Sequence, residues 1–193
     1  MCCLGCFPAM TASVPLPYLQ AYPPSLQQQA MGLVQSGRLG DWLLQRHPEA
    51  HQMRSDKALH GYVTGLKTEY MRNAAPLAKV VYDSKLQLVY QALGIHMRSG
   101  KNHGGKTQSR HEIRIGSLFK HAPEPFLRMI AVHELAHLRE TAHNKAFYQL
   151  CEYMEPAYHQ LELETRLYLT WLDAGGKRLW KDARDSDDSV NGR

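Results

Sequence analysis

The run from Phe126 to Leu138, "FLRMIAVHELAHL", carries apolar residues round nearly its whole circumference when wound at 3.6 residues per turn. A helix with that pattern belongs in a core. Ahead of it, Pro15, Pro17, Pro23 and Pro24 keep residues 1–24 as an extended or disordered leader. Residues 25–46 read as helical, with Ser25 as cap and a break at Gly37 to Gly40, and His47-Pro48 ends the element. A second helix is expected over 55–73, capped by Ser55 or Asp56 and followed by Pro76. The period then falls to two. In "AKVVYDSKLQLVYQALGIHMRS" β-branched and aromatic residues flank Asp83-Ser84 as in a hairpin, and "RHEIRIG" alternates Ile113 and Ile115 with polar neighbours as a strand does. After Pro123 and Pro125 come the apolar helix, a helix over 144–154, and another from Pro156 to about Leu172. Gly175-Gly176 breaks the pattern, and residues 175–193 lack an apolar stripe, which predicts a disordered tail. This order predicts one α+β domain over residues 25–174, with N-terminal helices, a small antiparallel sheet, the apolar helix and two further helices.

Three ionisable side chains interrupt the apolar helix. His133 and His137 are one turn apart and lie above one another, with Glu134 about 100° round the cylinder. Buried without partners they would be strongly destabilising, and a metal ion satisfies them. A random order of 11 His and 10 Glu in 193 residues yields H-E-x-x-H in only about 0.03 places, so the pattern is a signal rather than an accident of a His-rich chain. Two neutral imidazoles can each direct a ring nitrogen at one zinc ion, while the adjacent Glu reaches a water and acts as base. A catalytic zinc takes three protein ligands and keeps one position open, so a third is required.

His143 is the candidate. The spacing of His133, His137 and His143 matches the metzincin pattern H-E-x-x-H-x-x-G-x-x-H in its histidines, but Glu140 stands where that pattern has Gly. "RETAHNKAFYQL" offers another route: the first helix ends near Glu140, a second begins near His143 or Asn144 with Thr141 or Asn144 as cap, and His143 faces back to the metal. Glu152, Glu155, His159, Glu162 and Glu164 are the alternative third ligands, and Tyr148 and Tyr153 are candidates for stabilising developing negative charge. The other histidines, His47 and His51 among them, lack ligand spacing, and most of them are expected at the surface.

"VHELAHLRETAHNKAFYQLCEYMEP", preceded by "HEIRIGSLFKHAPEPFLRMI", resembles the YgjP-like metallopeptidase-domain family over roughly residues 76–172. Many members of that family carry W-G-S-C before the metal helix. Here "RIGSLF" keeps Gly116 and Ser117 without the Trp or Cys. The resemblance implies a zincin-like fold, one zinc ion per chain at His133, His137 and His143, and Glu134 as base. The chemistry it implies is hydrolysis of a peptide bond, with pyrophosphate release from UTP as the alternative.

Composition narrows the classes. The net charge of +5 suits an anionic ligand without calling for a stable nucleic-acid complex. Lys101, Lys106, Arg110, Arg114 and Lys120 gather just before the metal helix, and Lys106, Arg110 and Arg114 are the candidate contacts to a phosphorylated substrate. Gly100 to Thr107 fits G-x-x-x-x-G-K-[ST], but a strand follows it where a P-loop requires a helix. No stretch is long and apolar enough to span a membrane, and "MCCLGCFPAM" lacks the parts of a secretory signal. Cys2, Cys3 and Cys6 crowd one end and Cys151 stands apart, which is no disulfide framework. The expectation is a cytoplasmic enzyme acting on a peptide or nucleotide, with no membrane partner. Nothing in the sequence sets its oligomeric state.

Overall fold

The computed structural model describes residues 16–84 and 111–180. Helices α1 (Pro24–Gln35), α2 (Leu39–Arg46) and α3 (Asp56–Tyr70) lead into strands β1 (Leu77–Asp83) and β2 (His111–Gly116). After a 3-10 turn at Ser117–His121 come α4 (Glu124–Ala136), α5 (Lys145–Met154) and α6 (Tyr158–Asp173). The fold is α+β as the periods predict, and α4 is its centre. Phe126, Leu127, Met129, Ala131, Val132, Leu135 and Ala136 on that helix are all fully buried against α3, α5, α6 and the sheet. Each large apolar side chain among them is worth about 1.5–3 kcal/mol of burial. Among the described residues no helix is long and apolar enough to cross a membrane.

The helix ends follow local chemistry. Ser55 caps α3 by accepting from the Ala58 N–H, and Asn144 caps α5 by accepting from the Phe147 N–H. At α1 the expected Ser25 cap is replaced by Pro23, with Pro24 inside the first turn, where a missing N–H costs nothing. Gly37 (φ 69°) and Gly175 (φ 86°) close α1 and α6 in the same way. The Gly37 and Arg38 N–H groups return to Val34 and Leu33, and those of Gly175 and Gly176 to Leu172 and Trp171, the paired bonds of a Schellman cap.

The sheet corrects the expected topology. β1 and β2 run parallel, with Val80 opposite Ile113 and Tyr82 opposite Ile115, whereas an antiparallel sheet is expected from the sequence. A two-residue period reports which side chains share a face and says nothing of strand direction. β1 ends at Asp83 and β2 begins at His111, which leaves chain enough for the crossover that parallel strands need. The second half of the expected hairpin and the Gly-rich loop, with Lys101, Lys106 and Arg110, lie outside the described residues.

Folded structure also reaches further at both ends than the expected leader and tail allow. Tyr18 and Leu19 are buried in a 3-10 turn at Pro17–Leu19. At the other end Trp180 is buried, edge-on to Phe126 and Tyr168, and its indole N–H donates to the His47 carbonyl at 2.7 Å. A lone aromatic beyond a Gly-Gly break leaves no periodic trace. His51 departs from expectation in the same direction. It is buried, its Nδ1 accepts from the Met53 N–H at 3.0 Å, and its Nε2 therefore carries the proton donated to the Phe119 carbonyl at 2.7 Å. Burial holds its pKa below the ordinary histidine value.

Glu164 ties the outer helices together. Its carboxylate is 1% exposed and accepts from Arg46 Nε (2.6 Å), His47 Nε2 (2.5 Å) and Gln160 Nε2 (2.8 Å). Burial pushes the carboxyl up, but hydrogen bonds from His47 and Gln160 and the nearby Arg46 charge outweigh it and leave the pKa below normal. Glu164→Ala is therefore expected to cost roughly 1–3 kcal/mol in urea unfolding, the penalty of stranding buried partners, while zinc content stays at the wild-type level.

Candidate metal centre

His133 and His137 leave α4 on the same side because they are one turn apart, and His137 is the residue that caps the helix. Beyond it the chain turns without a glycine. The Leu138, Arg139 and Glu140 N–H groups bond back to Leu135 and Ala136, and the Asn144 N–H bonds to the Ala142 carbonyl at 2.8 Å. Asn144 steadies the turn from its far end, donating to the Glu140 carboxylate at 3.3 Å. Glu140 occupies the position held by Gly in the metzincin spacing, and its carbonyl faces His137 Nδ1 at 2.9 Å. The turn thus delivers His143, the residue before the α5 cap, back towards α4.

The three imidazoles meet. His143 Nε2 lies 3.2 Å from His133 Nε2, and His137 Nε2 lies 3.3 Å from it. Those separations are informative because ligands about 2.0–2.1 Å from a tetrahedral zinc stand about 3.3–3.4 Å apart. The opposite nitrogens of two rings are engaged elsewhere: His137 Nδ1–H donates to the Glu140 carbonyl, and His133 Nδ1 lies 2.7 Å from the Tyr158 hydroxyl. The carbonyl requires the proton on His137 Nδ1, so His137 Nε2 presents a lone pair, the tautomer a metal ligand requires. The donor set therefore fits one zinc ion bound by three imidazoles.

Phe147, fully buried on α5, forms the floor of the centre, its ring centroid 5.0, 4.6 and 4.7 Å from those of His133, His137 and His143. Tyr148 lies alongside His143 with centroids 6.3 Å apart, and it also meets His159. Tyr153 is 66% exposed and packs on Tyr70, away from the three histidines. Among the described residues the cluster able to hold a metal consists of His133, His137 and His143 alone. The other candidate third ligands have different engagements: Glu152 pairs with His159, Glu155 with Arg128, Glu162 with Arg166, and Glu164 with Arg46 and His47. Arg114, in β2, pairs with Asp83 at 2.9 Å and Glu112 at 2.8 Å, which commits much of its charge to holding the two strands together.

Glu134 is half-buried beside His133, and no hydrogen bond or ion pair among the described residues satisfies it. Burial pushes its carboxyl up to about 7. A base poised there suits proton transfer near neutral pH, and a dication nearby would favour its ionised form. Tyr158 and Phe147 are the site residues that sequence reasoning missed. Phe147 had a signal in its i+4 spacing from His143, whereas Tyr158 had none, since α6 meets α4 only in the folded chain.

A family sequence profile described as YgjP-like, metallopeptidase domain matches residues 38–167. A protein of Escherichia coli (strain K12) named UTP pyrophosphatase is 52% identical over 164 residues, covering 85% of this chain and 98% of that protein. No solved structure matches the chain.

Two measurements test the centre. His143→Ala is expected to lose most of the bound zinc after dialysis, by elemental analysis, because two imidazoles cannot replace three. The second uses metal-free protein. The folded state holds the Glu134 proton more tightly than the unfolded chain, so the stability this lends is present below the unfolded value of about 4.3 and is lost as pH rises through about 7. Glu134→Gln does not titrate, so at pH about 8 it should melt a few degrees above wild type, with the gap closing below pH about 5.

Proposed function

The chain belongs to the YgjP-like metallopeptidase-domain family, and from that premise we propose that it is a zinc-dependent hydrolase releasing pyrophosphate from UTP or a similar nucleoside triphosphate. The observation that carries the substrate is the 52% identity to the UTP pyrophosphatase across 98% of that protein's length. His133, His137 and His143 hold the ion in this reading. Zinc, when bound, supplies a Lewis acid that acidifies water and polarises a phosphoryl oxygen.

The chain's own residues supply the rest. Glu134 takes the proton from the attacking water as its oxygen forms a bond to the α-phosphorus. The bond from that phosphorus to the bridging oxygen breaks, and pyrophosphate leaves with the electron pair. Glu134 then returns its proton to the leaving group or to solvent, and the products are the nucleoside monophosphate and pyrophosphate. Lys106 and Arg110 are the residues proposed to meet the phosphates, with Arg114 contributing what charge Asp83 and Glu112 leave it. A second reading keeps the centre and changes the substrate. Among the described residues β2 pairs on one edge only, with β1, and its other edge could receive an extended peptide as an added strand.

Purified zinc-loaded protein should release pyrophosphate from UTP faster than it cleaves any member of an extended peptide library. Glu134→Gln should retain zinc and lose at least about a hundredfold in kcat, and Lys106→Ala or Arg110→Ala should raise KM for the triphosphate in a salt-dependent way. Peptide cleavage without pyrophosphate release would transfer the assignment to the second reading.

A further inference from the structure

We propose that Tyr158 is a positioning residue for the metal centre: its phenol oxygen accepts the Nδ1–H of His133 and thereby presents the Nε2 lone pair of that imidazole to the ion. The inference rests on the metal site of the proposed function and is independent of the substrate.

His133 and Tyr158 belong to different helices, yet Nδ1 and the hydroxyl lie 2.7 Å apart. The two rings are nearly parallel, 18° between planes, and Tyr158 is wholly buried. A neutral imidazole carries one N–H. Were it on Nε2, it would point among the Nε2 atoms of His137 and His143, at 3.3 and 3.2 Å, and His133 could not serve as a ligand. A phenol oxygen accepting at Nδ1 favours the other tautomer and makes Nε2 the better donor.

The buried thiol of Cys151 on α5 interacts with the Tyr158 phenol, so His133, Tyr158 and Cys151 form one buried polar group. α4, α5 and α6 each supply one member. His137 differs in an instructive way: its Nδ1 partner is the Glu140 backbone carbonyl, which every residue type provides, whereas the partner of His133 is a side-chain group that one substitution deletes.

The test measures metal binding by the full chain. Tyr158→Phe keeps the ring and removes the hydroxyl. Zinc affinity from competition with a chromogenic chelator is expected to fall about 10–100-fold, and the visible spectrum of the cobalt(II) form should shift because the His133 donor changes. Cys151→Ala leaves the His133–Tyr158 bond in place and should change zinc affinity by less than about threefold. A Tyr158→Phe protein that binds zinc within about threefold of wild type, with an unaltered cobalt spectrum, overturns the proposal. If Tyr158→Phe does not fold, difluorotyrosine at 158 keeps the shape and weakens the acceptor, and unchanged zinc affinity there overturns it equally. Wild type that binds zinc tightly but hydrolyses no triphosphate would defeat the substrate assignment and leave Tyr158 standing. Wild type that binds neither zinc nor cobalt would remove the centre and this inference together.

Discussion

Three imidazole nitrogens gathered within 4.8 Å of one another, beside an apolar helix, form an arrangement that the rest of the molecule has to support. Each ring is polar, each has left bulk water at least in part, and their Nε2 atoms converge where they cannot all satisfy each other. The protein tolerates this because Nδ1 is engaged on the far side of the ring, by the Glu140 carbonyl for His137 and the Tyr158 hydroxyl for His133. The buried Phe147 ring packs against all three imidazoles. A metal ion bound by the three nitrogens would complete the set, converting a costly cluster into a bound one.

That requirement explains how the scaffold is built. α4 has to be stiff and deeply packed, since a ligand displaced by an ångström no longer shares the ion. Its apolar positions are spent on contacts with α3, α5 and α6, and Phe126, three turns from the centre or less, carries Trp180 and Tyr168 against it. Schellman caps end α1 and α6 cleanly, and the buried carboxylate of Glu164 anchors α6 to the end of α2. α6 in turn places Tyr158.

Glu134 shows the tension between stability and chemistry. A carboxylate without a hydrogen bond or ion pair among the described residues, in a desolvated setting, destabilises the fold when ionised, and the same setting gives it a proton affinity matched to neutral pH. A cation held by the neighbouring histidines would relieve part of that cost.

Much of this was legible from the chain alone because it depends on short-range geometry. H-E-x-x-H is a statement about one helical turn, the Ser55 and Asn144 caps are statements about three residues, and an all-round apolar helix can only be a core element. The α+β class followed from where the period changed. Strand direction did not, because Ile113 and Ile115 alternate identically in parallel and antiparallel pairs, and direction shows only in the tertiary pairing of β1 with β2. Nor could the sequence show that His51 and Trp180 are buried, or that Glu164 is an anchor and Tyr158 a partner of His133. Those contacts join residues 25 to 133 positions apart. The spacing of residues along one helix and the turn after it determined which atoms could share a metal and gave His137 its Nδ1 partner three residues on, whereas only tertiary packing brought the Tyr158 hydroxyl to His133 Nδ1, because α6 meets α4 only in the folded chain.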